Sequence, residues 1–277
     1  MKNKTFVLDD RYPDCTLTTY IHDPHSELNI PYRRAIIICP GGGYSCLSER
    51  EAEPVALQYF AAGLNVFILR YSIRENAVND APLVESALAV KHVRSHAEEY
   101  FVDPAYVFIT GFSAGGHCAA MCATLWNDPA VRNALGIDRG EAPEGINRPT
   151  ASVLCYPVIT GGHFAHRRSI DNLCGYPSSD TEGALRYSLE LHVDDTTPPA
   201  FIWHTFNDNS VPIQNSLLYA NAMAAVGVPF ELHIYPDGVH GLALCNRETS
   251  VGKPRLESPV CADWIKDAIR YVKEFQT

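Results

Sequence analysis

The chain has 277 residues, 46% of them hydrophobic, 19% charged and 10% aromatic, which is the balance of an ordinary globule able to build a sizeable core. Its formal net charge of -10 excludes the basic face that nucleic acid or an anionic membrane surface requires. The nine cysteines are an odd number without Cys-x-x-Cys spacing, and several sit in apolar runs, so free buried thiols are expected and neither a disulfide framework nor a metal site is.

At the start, Met1–Asp10 offers two lysines and only three consecutive apolar residues, which does not read as a signal peptide. No later run approaches the ~18 apolar residues of a membrane span. A cytoplasmic, cofactor-free protein is the expectation. Leu17–Ile21 alternates enough for a strand near a sheet edge. Ala35–Cys39 is continuously apolar, as a parallel strand covered on both faces would be, and runs into the loop Pro40-Gly41-Gly42-Gly43-Tyr44. Ser48–Ala62 reads as a helix with Ser48 and Glu51 as a capping box and Gly63 as its stop.

Asn65–Tyr71 is a second buried strand. Asp80 and Pro82 open a helix whose apolar positions Leu83, Ala87, Val90, Val93, Ala97 and Phe101 share one face. Next comes Ala105–Thr110, a β-branched and aromatic strand, then Gly111-Phe112-Ser113-Ala114-Gly115-Gly116, then an Ala-, Met- and Cys-rich helix from Gly116 to Trp126. A serine between glycines at a strand-to-helix turn is the pattern of a nucleophile elbow.

Asn127–Thr150, with three prolines and three glycines, reads as loop. Ala151–Tyr156 is a strand ended by Pro157. Residues 160–199 lack a clear period and read as a small lid-like insertion. Ala200–Thr205 is a strand, Pro212–Val226 a helix, Phe230–Tyr235 a strand, and Ser258 with Pro259 caps a last helix. Apolar strands alternating with helices predict an α/β fold built on an open, mostly parallel sheet, with the whole chain 1–277 as one domain.

In such a sheet, reactive groups gather at the carboxyl ends of the strands. Ser113 needs a base, and the base needs a carboxylate behind it. Asp208 lies three residues past the strand ending at Thr205, and His240 follows the strand ending at Tyr235. The chain order Ser, Asp, His is that of the nucleophile-elbow architecture. Asp237, three residues before His240, is a rival acid, although the acid is usually placed by another strand's loop. His117, on the elbow helix, is expected to pack or hydrogen-bond near the site. His163 and His166 lack a third ligand and a carboxylate at metal-binding spacing. The oxyanion of a tetrahedral intermediate would need backbone amides, which Ala114 and the triple glycine can supply.

With these residues placed, the chain resembles the α/β-hydrolase superfamily along nearly its whole length, and more narrowly the acetyl xylan and sugar esterases near the hormone-sensitive-lipase-like enzymes. The resemblance rests on Cys39-Pro40-Gly41-Gly42-Gly43-Tyr44, Leu69-Arg70-Tyr71-Ser72, Gly111–His117, His204-Thr205 with Asp208 and Val211-Pro212, and Tyr235-Pro236 through His240-Gly241-Leu242. It implies about eight strands with helices on both faces, and Ser113, His240 and Asp208 as nucleophile, base and acid. It implies Gly42, Gly43 and Ala114 as oxyanion donors. Many relatives carry His where this chain has Pro40, and the Pro variant resembles the sugar-acetyl-esterase branch.

A small-molecule ester, such as an acetylated sugar or xylo-oligosaccharide, is therefore the expected partner, with Tyr44, His163 and Arg167 as candidate substrate contacts. A serine peptidase or amidase of the same fold is the alternative, and a non-catalytic ligand-binding relative a third. A homo-oligomer is compatible with all three.

Overall fold

The computed structural model describes residues 1–179 and 181–276. Its centre is an eight-stranded sheet: β1 (Lys2–Val7), β2 (Thr16–Ile21), β3 (Arg33–Cys39), β4 (Asn65–Arg70), β5 (Val102–Phe112), β6 (Ser152–Cys155), β7 (Ala200–Thr205) and β8 (Phe230–Tyr235). They lie in the order β1-β2-β4-β3-β5-β6-β7-β8, with β2 antiparallel to both its neighbours and every other pair parallel. This is the α/β-hydrolase fold that the sequence predicts.

The apolar runs alternate between two cores, as the two-residue period of a strand requires. In β3, Ala35, Ile37 and Cys39 face a cluster completed by α2 (Ala81–Ser95), α3 (Ala114–Thr124) and α7 (Gln214–Ala225). Ile36 and Ile38 face the other, completed by α1 (Glu53–Ala61) and α8 (Trp264–Glu274). All eleven residues of α3 are buried, which is why it is assembled from Ala, Gly, Cys and Met with little of an amphipathic pattern.

Register puts the loops together. Cys39 pairs with Gly111, Phe112 with Cys155, Cys155 with Trp203, and Thr205 with Tyr235. The carboxyl ends of five adjacent strands therefore stand side by side, and the loops leaving them converge.

Several expectations need correction. The capping box at Ser48 does not form: Ser48 makes no side-chain cap, residues Glu49–Glu51 are a 3-10 turn, and α1 begins at Glu53. Glu51 turns inward instead, because two buried donors claim its carboxyl group. The stretch read as loop contains α4 (Pro129–Leu135), capped by Asp128, whose carboxylate accepts from Ala130 N–H at 2.9 Å, and ended by Gly136 in the left-handed region. The last helix starts at Trp264, since Ser258 to Asp263 is taken up by tight turns closing on the Ser258 carbonyl. Strand β1 was not expected, because it is an edge strand whose side chains are mostly exposed and so carry no apolar alternation.

Residues 160–199 hold α5 (Arg167–Cys174) and α6 (Glu182–Arg186), too short for a period to show. Their Ile170, Leu173 and Ala184 are buried in the same cluster as α2 and α3. Asn215 at the start of α7 ties the segment down, accepting from Ile159 and Thr160 N–H at 2.9 and 3.1 Å and donating to the Phe164 carbonyl at 2.9 Å.

Candidate active site

Ser113 stands where β5 turns into α3, at φ +54° and ψ -119°, a strained conformation for a residue with a side chain. The glycines on either side let the chain pass: a Cβ on Gly111 would lie 2.0 Å from the Gly115 carbonyl oxygen, and one on Gly115 would lie 2.1 Å from that of Cys39. The elbow is pinned to the neighbouring strand by Ser113 N–H to Cys155 O and by Val158 N–H to Ser113 O, both at 3.0 Å. Only 7% of Ser113 is exposed.

The Ser113 hydroxyl lies 2.7 Å from His240 Nε2, and His240 Nδ1 lies 2.6 Å from Asp208 Oδ2. A carboxylate can only accept, so Nδ1 carries the imidazole proton and Nε2 accepts from Ser113. The structure thus brings together three residues from the loops after β5, β7 and β8. Asp237 is turned away, hydrogen-bonded to Asn207, so the carboxylate that meets His240 is that of Asp208.

Asp208 is enclosed by donors. Its Oδ1 accepts from Ser210 and Val211 N–H, both at 2.9 Å, and its Oδ2 also stands 3.4 Å from Nε2 of the fully buried His204. His204 Nε2 is a donor because it also faces the Val211 carbonyl at 3.0 Å. Burial alone would raise the Asp208 pKa; the hydrogen bonds from His204, His240 and Val211 outweigh it and hold the carboxylate well below its usual range.

The triple-glycine loop faces the elbow. The N–H groups of Gly42, Gly43 and Ala114 donate to no protein acceptor among the described residues. Their loop is held from several sides. Gly41 N–H donates to Glu51 Oε2 at 3.0 Å, and Asn172 Nδ2 donates to Gly43 O at 2.7 Å. Glu51 Oε1 accepts from Tyr156 O–H at 2.7 Å, and Tyr156 Oη in turn accepts from Ala243 N–H at 3.0 Å. The Tyr156 ring meets the His240 ring edge-on at 5.1 Å. Arg50 reaches the same histidine loop, donating to Gly241 O at 2.8 Å and to Thr249 O. A short segment after the glycine loop therefore braces both that loop and the one bearing His240.

Sequence reasoning gave no role at the site to Glu51, Tyr156, His204 or Asn172.

The candidate substrate contacts fare differently. Tyr44 is 0% exposed and cannot touch a substrate. At φ +56° the chain turns it under the loop, where its hydroxyl meets His117 Nδ1 at 3.0 Å. Buried His117 bonds the Tyr187 carbonyl through Nε2 at 2.9 Å, and burial pushes its pKa down to about 4, so it is a neutral strut, as its place on α3 suggested. Arg167 braces its own segment by donating to Gly161 O and Gly162 O at 2.9 and 3.0 Å. His163 is exposed and packs edge-on against Phe164. No contact joins either to Ser113.

Comparison with known proteins places the chain in a family. A family model described as BD-FAE matches residues 21–223. Endo-1,4-beta-xylanase B of Butyrivibrio fibrisolvens is 34% identical over 235 residues, which cover 84% of this chain and 35% of that protein. The acetylxylan esterase of Xylanibacter ruminicola is 32% identical over 216 residues, covering 76% of this chain and 41% of that one. The chain thus spans well under half the length of these two relatives. Among solved structures, an acetyl ester-xyloside bifunctional hydrolase from Caldicellulosiruptor lactoaceticus is 35% identical with a TM-score of 0.76, covering 94% of this chain and 88% of that one. The carboxylesterase Cest-2923 from Lactobacillus plantarum WCFS1 is 28% identical with a TM-score of 0.84, covering 99% and 98%.

Proposed function

This chain belongs to the BD-FAE family of α/β hydrolases, and from that premise we propose that it is a serine carboxylic-ester hydrolase acting on short acyl esters, with acetylated sugars or xylo-oligosaccharides as substrates. The observation that carries the reading is the hydrogen-bonded line from Ser113 through His240 to Asp208, at 2.7 and 2.6 Å. In this reading His240 Nε2 takes the Ser113 proton as Oγ attacks the ester carbonyl, and the proton is then given to the departing alkoxide. Water, deprotonated by the same nitrogen, cleaves the acyl-enzyme and releases the acid.

Asp208, kept ionised by its donors, stabilises the imidazolium without taking its proton. The amides of Gly42, Gly43 and Ala114 receive the oxyanion, already oriented and needing no rearrangement as charge develops. The little-exposed Ser113 suits a small acyl group, and the sugar alcohol is suggested by the xylanase, acetylxylan esterase and acetyl ester-xyloside names among the relatives.

The test is hydrolysis of p-nitrophenyl acetate and of acetylated xylo-oligosaccharides by the wild type and by Ser113→Ala, with alanine p-nitroanilide as the amide control. Ester turnover should fall by on the order of 10⁴-fold or more in the variant. Undiminished turnover would remove Ser113 from the chemistry, and preferential cleavage of the anilide would turn the reading toward a peptidase.

A further inference from the structure

Besides Asn172, which donates to Gly43 O, the 160–199 segment brings His166 against the glycine loop. A Cβ placed on Gly43 would lie 3.8 Å from His166 Cε1, 3.7 Å from Ser169 Oγ and 3.9 Å from Ser45 Oγ. These are the three nearest atoms, and all belong to polar side chains. His166 is half-buried, and the Asp208 carboxylate acts on its protonation. Its Nδ1 is 2.8 Å from Ser169 Oγ. Ser169 is fully buried, and its hydroxyl has no other partner among the described residues, so it donates to Nδ1. Nε2 then carries the ring proton.

That N–H has no acceptor among the described residues and belongs to a ring set against the glycine loop. We propose that His166 is a substrate-binding residue, donating from Nε2 to an oxygen of a polyhydroxylated alcohol moiety, and so favouring sugar esters over esters of apolar alcohols. The proposal rests on the esterase reading above.

Of the neighbours expected in this role, His163 packs on Phe164 and Arg167 donates to carbonyls of its own segment. Burial is the first influence on the His166 pKa and lowers it, with Asp208 acting in the opposite direction. The ring is therefore held neutral, a hydrogen-bonding partner without charge, as neutral hydroxyl groups require.

The experiment compares kcat/KM on a monoacetylated methyl xyloside with kcat/KM on p-nitrophenyl acetate, two esters sharing the acyl group and differing in the alcohol. In His166→Phe the ratio of the two should fall about tenfold, the ordinary worth of one hydrogen bond to a ligand. His166→Gln, which restores an N–H donor, should recover most of it, and His166→Leu repeats the test with a smaller side chain. A ratio within twofold of wild type in both apolar variants overturns the proposal, as does an equal loss in His166→Gln. Absence of Ser113-dependent turnover of p-nitrophenyl acetate by the wild type would instead overturn the esterase reading, and this proposal with it.

Discussion

Replacing Glu51 by Gln tests whether the glycine loop and the histidine loop are coupled through one buried carboxyl group. Glu51 accepts twice, from Gly41 N–H at 3.0 Å and from Tyr156 O–H at 2.7 Å. A glutamine has one acceptor oxygen. If that oxygen serves Gly41, the amide NH₂ faces Tyr156 Oη, which already accepts Ala243 N–H, and the tyrosine proton loses its acceptor. If the oxygen serves Tyr156, the Gly41 amide is left facing a donor. Either way one buried donor goes unpaired, at about 1–3 kcal/mol. For a chain of this size that is a fall in Tm of roughly 2–4 °C per kcal/mol.

The activity loss should fall mainly on kcat, by about tenfold, because the disturbed groups position the reacting ones and need not touch bound substrate. Thermal unfolding and steady-state hydrolysis of p-nitrophenyl acetate read both effects, and Tyr156→Phe, which also orphans Ala243 N–H, should reproduce them. An E51Q enzyme with wild-type Tm and kcat would show that this network carries no strain to either loop.

Two further perturbations address other groups. Asp208→Asn should lower kcat by on the order of 10⁴-fold while the fold persists, since an amide can present its NH₂ to His240 and reverse the tautomer; turnover within tenfold of wild type on p-nitrophenyl acetate would refute the assignment. Glu85 is fully buried in α2, accepting from Ser72 N–H at 2.7 Å and from the Ser72 hydroxyl, and burial pushes its pKa up to about 7. Between its unfolded value near 4.5 and about 7 the folded state holds the extra proton, so stability falls as pH rises through that window. Glu85→Gln, which can accept from Ser72 N–H and donate to its hydroxyl, should gain up to about 3 kcal/mol over wild type at pH 8 relative to pH 5. Equal Tm differences at the two pH values would refute it.

Long apolar strands and the elbow were readable because their physics is local. Continuous apolar runs such as Ala35–Cys39 leave few options except a doubly covered strand, and Gly111-Phe112-Ser113-Ala114-Gly115 needs small residues wherever the chain turns so tightly. Asp208 and His240 followed from their places after strands. Glu51 was misread because Ser48 and Glu51 satisfy a local capping pattern, and only the tertiary approach of Gly41 and Tyr156 overrides it. Tyr44 was misread for a similar reason: an aromatic residue after glycines could face either way, and the backbone at Tyr44 turns it inward. The short helices α4 and α5 bury too few residues for a period, though Asp128, Pro129 and Gly136 had already marked the limits of α4.

The complete burial of α3 bears on how such a protein could acquire new specificities. Ser113, the proposed nucleophile, is mounted on a helix with no solvent-facing position, so a larger residue there would collide with its neighbours. Changes that survive are expected elsewhere, chiefly at the exposed and half-buried positions of the segment after β6, such as His163 and His166. On the esterase reading, inheritance can thus vary the alcohol recognised while the helix behind Ser113 stays fixed.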